Sequence, residues 1–246
     1  MRFLFAVVTA LLMASPAQSA ELKVLSGNGA RAAVIELCSQ FEHATGHKID
    51  LRFGVNIEVK TKIEAGERFD VVIGNPPIID TLIQDGTVVG PRSDIGNAGL
   101  GVAVRAGASK PDIATVDTFK RALLAAKAVA FPDKGASGIY FVSLLDRMGI
   151  KSEMTTRLKP MEAEDTVEVV ARGEADMVVV VATRIYDVPG VDPVGLIPSE
   201  LQTRIGFAAG LSATAKEVDA GRALIGFLSA PAAAATLKSK GVEPAS

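Results

Sequence analysis

The chain has 246 residues, 26 of them basic and 28 acidic, with one cysteine and 48% hydrophobic content. That length suits one large domain or two small lobes. A net charge of −2 does not suit tracking nucleic acid, and a single cysteine excludes an internal disulfide and a cysteine metal cluster.

The first stretch, MRFLFAVVTALLMASPAQSA, holds one Arg, an apolar run from Phe3 to Ala14, a Pro, and small residues around Ala17, Ser19 and Ala20. The run is shorter than the about 20 residues of a membrane span, and the three-part layout is that of a secretory signal over residues 1–20. Cleavage falls after Ser19 or Ala20. Removing Arg2 leaves 25 basic against 28 acidic residues, a net of −3. The only other long apolar run, DMVVVVA from Asp176, is strand-sized, so a soluble periplasmic protein is expected.

Strand-then-helix units follow. LKVLS leads through Ser26-Gly27-Asn28-Gly29 into a helix over Ala30 to Thr45, ended by Gly46. KIDLRF leads through Gly54-Val55-Asn56 into a helix over Ile57 to Ala65, and FDVVIG leads through Asn75-Pro76-Pro77 into a helix ended by Asp85-Gly86. Alternation of short apolar strands with capped helices predicts parallel βαβ units. After IGNAGLGVAVRAG the pattern restarts: a linker, a helix Thr118 to Lys127, the strand AVAF, the turn PDKGASG and a helix Ile139 to Met148. A helix near Thr166 to Arg172, the strand after Asp176, and a Pro-, Gly- and Asp-rich loop from Asp187 to Pro198 come next. The strand RIGFAAGLSA is expected to pair antiparallel with LGVAVRAG, and two Ala-rich helices close the chain.

This order predicts an α/β protein of two lobes, residues 21–108 plus 198–246 and residues 109–197, with crossings near Gly107 to Pro111 and Pro193 to Glu200. Ligands of open α/β sheets sit beyond the carboxyl ends of strands, where first-turn N–H groups lack helical partners and favour anions. Four turns therefore face one expected cleft: Ser26 to Gly29, Gly54 to Ile57, Asp133 to Gly138, and Glu162 to Thr166. Asn56 and Ser137, and Asp165 or Thr166, also suit helix N-caps.

Catalytic signatures are scarce. G-x-S-x-G, H-E-x-x-H and G-x-x-x-x-G-K-[ST] are absent, and GNGARA lacks the third glycine of the dinucleotide fingerprint. His43 and His47 sit at the exit of the first helix as surface residues. Cys38 shares a helical stripe with Val34 and Phe41, so it belongs to the core, and its five-residue spacing from His43 puts the two on different helix faces.

The signal, the βαβ opening, IEAGERFDVVIG, GLGVAVRAG, the GEAD before an apolar strand, and the helical tail resemble, in order along the mature chain, the periplasmic molybdate-binding proteins of ABC importers. The resemblance implies a two-lobed periplasmic binding protein fold, each lobe a βαβ sheet flanked by helices. It further implies a small anion in the cleft, the importer's membrane subunits as partner, no cofactor, no metal, and a monomer. Serine hydroxyls of that family fall at Gly29 and Asn56 here and a tyrosine near Val181, so backbone donors would carry the anion. The expected ligand residues are Ser26, Asn28, Gly29, Asn56, Ile57, Ser137, Gly138 and Thr166. The same branch resembles the bacterial aconitate isomerases, which implies a base that removes an allylic proton from a tricarboxylate. Lys134, Asp133 and Glu164 are the ionisable groups nearest the expected cleft, with Arg31 and Arg92 as carboxylate clamps.

Overall fold

Near-continuous burial makes β1 (Glu21–Gly27) a strand covered on both faces, Leu22 and Val24 joining one apolar cluster and Leu25 another. α1 (Arg31–Thr45) buries Ala33, Val34, Leu37, Cys38 and Phe41 at helical spacing. It stops where Gly46 takes a φ of 76° and donates to the Glu42 carbonyl. β2 (Lys48–Gly54), α2 (Asn56–Glu64), β3 (Val71–Gly74) and α3 (Pro76–Gln84) complete two further units. β2 and β3 both run parallel to β1, with Val24 opposite Leu51 on one side and Val71 on the other. This computed structural model describes residues 19–245, so all of the expected signal before Ser19 lies outside the described residues.

β4 (Val88–Ala98) ends one residue before Gly99, and β5 (Leu100–Arg105) opens a second sheet. That sheet is filled by β6 (Val129–Pro132), β7 (Leu158–Met161), β8 (Met177–Val181) and β9 (Val191–Leu196). Between these strands stand α4 (Val116–Ala125), α5 (Ala136–Arg147), α6 (Lys151–Met154) and α7 (Glu168–Ala171). The chain then returns to the first sheet through β10 (Ile205–Ser212), α8 (Val218–Ser229), α9 (Ala234–Ser239) and β11 (Glu243–Pro244). Strand order is β11-β4-β10-β3-β1-β2 in the first sheet and β7-β6-β8-β5-β9 in the second.

The first crossing falls at Gly99 rather than near Gly107 to Pro111, because β5 hydrogen-bonds β8 and β9. For the same reason β10 does not pair with LGVAVRAG. It lies antiparallel between β3 and β4, with Ile205 opposite Ala98. The stretch from Asp187 to Pro198 contains β9, and β7 and β11 are strands that the sequence pattern does not announce. Gln202 ties the two crossings together: its Oε1 accepts from the Leu100 N–H at 2.7 Å and its Nε2 donates to the Leu100 carbonyl at 2.9 Å.

The first sheet is packed by α1 and α8 on one face and by α2 and α3 on the other. In the second, Val102, Phe119, Leu123, Phe141 and Leu144 form a core of their own. The largest cluster runs from one lobe into the other, with Leu37 and Phe41 of the first in the same cluster as Val178, Val180 and Ile185 of the second. Cys38 belongs to it, and burial first, Glu42 second, push its thiol up to about 12. His43 is exposed, whereas His47 stacks on Phe41 and its Nδ1 accepts from the Ala20 N–H at 3.0 Å. Among the described residues no single helix is long and apolar enough to cross a membrane.

Candidate functional site

The carboxyl ends of strands from both sheets converge on one cavity of about 50 Å³. From the first lobe it is lined by Asn28 and Gly29 after β1, Val55 and Asn56 after β2, and Asn75 after β3. From the second it is lined by Pro132 and the Gly135 to Ser137 turn after β6, Ala163 after β7, Val181 ending β8, and Arg184. This is the crevice position of a parallel α/β sheet, with the starts of α2 and α5 directed at it.

Ser137 is 4% exposed, and among the described residues its hydroxyl makes no hydrogen bond. It is not the cap of α5, since Gly135 holds that place and Ser137 is the second helical residue. Asn56 is not a cap either. Val55 precedes the helix, and the Asn56 amide is used sideways: its Nδ2 donates to Asn75 Oδ1 at 2.7 Å and its Oδ1 accepts from the Asn75 N–H at 3.0 Å. Asn75 in turn donates to the Gly206 carbonyl at 2.8 Å, so three strand ends are pinned by two amides. A Cβ on Gly27 would lie 2.6 Å from Asn56 Oδ1 and one on Gly74 2.8 Å from it, which is why both positions lack a side chain. Asn56→Ala should therefore lower stability by about 2–3 kcal/mol, through two lost hydrogen bonds and the gap over the strand ends. Melting followed by circular dichroism checks this, with an expected fall of about 4–12 °C.

Other expected site residues lie elsewhere. Ser26 is fully buried within β1 and donates to the Gly27 carbonyl at 3.1 Å. Thr166 is 1% exposed and donates to the Glu162 carbonyl at 2.8 Å, which serves the turn and not the cavity. Asp165 caps nothing: its carboxylate takes Arg172 at 2.7 and 3.0 Å, and that guanidinium holds its carboxyl below the usual range. Ile57 is exposed and does not line the cavity. Gly138 is set by packing, because a Cβ there would lie 1.8 Å from the Pro132 carbonyl oxygen. A Cβ on Gly29 would meet the Phe207 ring at 2.7 Å, so Gly29→Ser presses on that ring instead of restoring a hydroxyl to the cavity.

Arg184 is the residue that the sequence pattern missed. It follows β8 directly in the 3-10 segment Ala182–Asp187, is 8% exposed, and meets Glu168 at 3.4 Å. A charge placed just after a buried strand, at its carboxyl end, was the available signal. Asn28 and Arg184 also line a second, open compartment of about 470 Å³, together with Arg31, Glu164, Glu168 and Lys240. Across the lobes Asn28 Nδ2 donates to Glu164 at 2.8 Å, and the Thr183 hydroxyl donates to the Gly29 carbonyl. The Glu164 bond fixes the Asn28 amide, whose Oδ1 is buried and has no partner among the described residues.

Of the three candidate bases only Glu164 reaches either compartment. Asp133 and Lys134 are exposed, and Lys134 stands 3.5 Å from Glu162. Arg31 lines the outer compartment with its guanidinium 4.3 Å above the Phe53 ring, while Arg92 is bound to Asp80 and Asp94 away from both. Among the described residues no group of three or more His, Cys, Asp or Glu is placed to hold a metal ion.

The model of the family described as bacterial extracellular solute-binding protein matches residues 22–243. An aconitate isomerase of Pseudomonas sp is 33% identical, the alignment covering 96% of this chain and 92% of that one. The molybdate-binding protein ModA of Azotobacter vinelandii is 26% identical over 94% of this chain and 92% of its own. The solved periplasmic molybdate-binding protein of the same organism superimposes with a TM-score of 0.78 at 19% identity, over 92% of this chain and all of that one. With a two-lobed architecture, a cavity where the strand ends of both lobes meet, and a family match over nearly its whole length, the chain belongs to the bacterial extracellular solute-binding protein family.

Proposed function

We propose that the protein is a periplasmic receptor that binds one small anion, an oxyanion or an organic carboxylate, between its lobes and delivers it to the membrane subunits of an ABC importer. It would act as a monomer once the signal at residues 1–20 is removed. The observation that carries this reading is the interlobe cavity. Helix starts from both lobes, the otherwise unused Ser137 hydroxyl and the Arg184 guanidinium all border a space the size of one anionic group. Ligand contacts from both lobes favour the closed form, and binding to the native state raises its stability by RT ln(1 + [L]/Kd). A thermal-shift and calorimetric panel of molybdate, tungstate, sulfate, phosphate, citrate and the aconitates tests it. At least one ligand is expected to bind below about 1 mM, and silence from every anion in folded protein refutes the reading.

Ser137→Ala separates binding from folding. The hydroxyl has no partner among the described residues, so unliganded stability should stay within about 0.5 kcal/mol while affinity falls by about 0.5–3 kcal/mol. Unchanged affinity in titration would remove Ser137 from the site.

A second reading, an isomerase on the same fold, is favoured by the 33% identity to an aconitate isomerase and by Glu164 in the outer compartment. A base takes an allylic proton, the electron pair forms the new double bond, and a proton returns to the former vinylic carbon, with no net oxidation. Glu164 is the base that this reading requires. Conversion of trans- to cis-aconitate by the wild type, lost in Glu164→Gln, would establish it, and no turnover at high enzyme concentration would dismiss it.

A further inference from the structure

Resting on the anion-binding reading above, we infer that the outer compartment is a second anionic subsite, and that the ligand is a polycarboxylate divided between the two compartments. The inner cavity of about 50 Å³ has room for one carboxylate or one tetrahedral oxyanion, given that one water needs roughly 10–15 Å³ of such space. Directly beside it, sharing Asn28 and Arg184 as walls, lies a compartment about nine times larger, at about 470 Å³. A lone tetrahedral oxyanion has no use for that space. A carbon chain with a carboxylate at each end fits the pair of volumes, and the planar fork of Arg184 between them matches a planar carboxylate.

Charge in the outer compartment points the same way. Its three carboxylates keep their charge but are each held by a protein donor: Glu36 accepts from Gln40 at 3.1 Å, Glu164 from Asn28 at 2.8 Å, and Glu168 from the Val167 N–H at 3.1 Å as well as meeting Arg184. The three cations of the same lining, Arg31, Arg184 and Lys240, balance them, and two of the three are not engaged by a carboxylate of the described residues. Among the described residues neither Arg31 nor Lys240 forms an ion pair, and Arg31 only stacks on Phe53. The two belong to segments far apart in sequence, the first turn of α1 and the end of α9, and both are half-buried, so their charge is screened less than that of a surface lysine. A second carboxylate seated there gains two cations without displacing an internal salt bridge.

The experiment is calorimetric titration of the wild type, Arg31→Gln, Lys240→Gln and Lys240→Arg with propionate, tricarballylate, trans-aconitate, sulfate and molybdate. The wild type is expected to bind a polycarboxylate at least about tenfold more tightly than propionate or either oxyanion. Arg31→Gln and Lys240→Gln should each weaken the polycarboxylate by about three- to thirtyfold, with Lys240→Arg close to wild type and unliganded melting unchanged. Molybdate or sulfate binding more tightly than every polycarboxylate, or a polycarboxylate affinity indifferent to both Gln variants, overturns the second subsite and leaves the receptor reading standing. Silence from all five anions overturns the second subsite, and the receptor reading falls with it only when tungstate, phosphate, citrate and cis-aconitate are silent as well.

Discussion

Replacing Arg184 by Gln is expected to cut affinity for the best-binding anion by about two to three orders of magnitude, roughly 2.7–4 kcal/mol. The size follows from position. The side chain is only 10% exposed, so solvent screens it little, and it borders the inner and outer compartments at once. Glutamine keeps some length and a donor but neither the charge nor the fork. Glu168 loses a partner at 3.4 Å in the variant, and because its side chain is a third exposed that one lost pair should cost under about 1 kcal/mol. Arg184→Lys, with charge but no fork, should fall between the two. Affinity within threefold of wild type in a folded Arg184→Gln protein would exclude the guanidinium from the site.

The largest stability loss is expected at Gly138. An alanine there sets its Cβ 1.8 Å from the Pro132 carbonyl oxygen; the Cβ position is fixed by the backbone and the oxygen belongs to the main chain, so no rotamer change relieves the contact. α5 must back away from the end of β6, loosening Phe141, Leu144 and Leu145, which are all fully buried. Overpacking of this kind costs about 3 kcal/mol or more, a drop in melting temperature of about 6–12 °C. Ser137 is the preceding residue, so anion affinity should fall with it. Gly226→Ala is the control: it lies in α8 with nothing within 4 Å of its would-be Cβ, and should stabilise by about 0.5–1 kcal/mol. Melting of Gly138→Ala within 2 °C of wild type would contradict the packing argument.

Which parts of this molecule were legible from sequence follows from how local they are. The capped units Lys23 to Thr45 and Lys48 to Gly66 need only apolar spacing and a glycine stop, and their helices stand within two residues of the expected ends. Asn28, Gly29, Asn56 and Ser137 line the inner cavity because a turn after a parallel strand opens towards the crevice wherever the rest of the chain goes. Partner choice between distant strands is not local: β10 has a composition close to that of β5, yet β4 and β3 flank it. Glycines misled for a related reason. At Gly27, Gly29, Gly74 and Gly138 the residue that forbids a side chain is a neighbour in space, respectively the Asn56 amide, the Phe207 ring, the same amide, and the Pro132 carbonyl. Arg184 escaped notice because its burial is created by the meeting of two lobes and not by its own strand.

Cys38 carries a practical consequence. With its thiol buried at 4% exposure and pushed up to about 12, almost none of it is thiolate near neutral pH, and maleimides and iodoacetamides react with the thiolate. The natural chain is thus chemically silent towards such dyes. Ile139, 63% exposed in the first turn of α5 beside the cavity, can be replaced by cysteine and labelled alone, without first deleting the native thiol and opening a hole in the core. A fluorophore at Ile139→Cys would report lobe movement directly, turning the receptor into a reagentless optical sensor for whichever anion it captures.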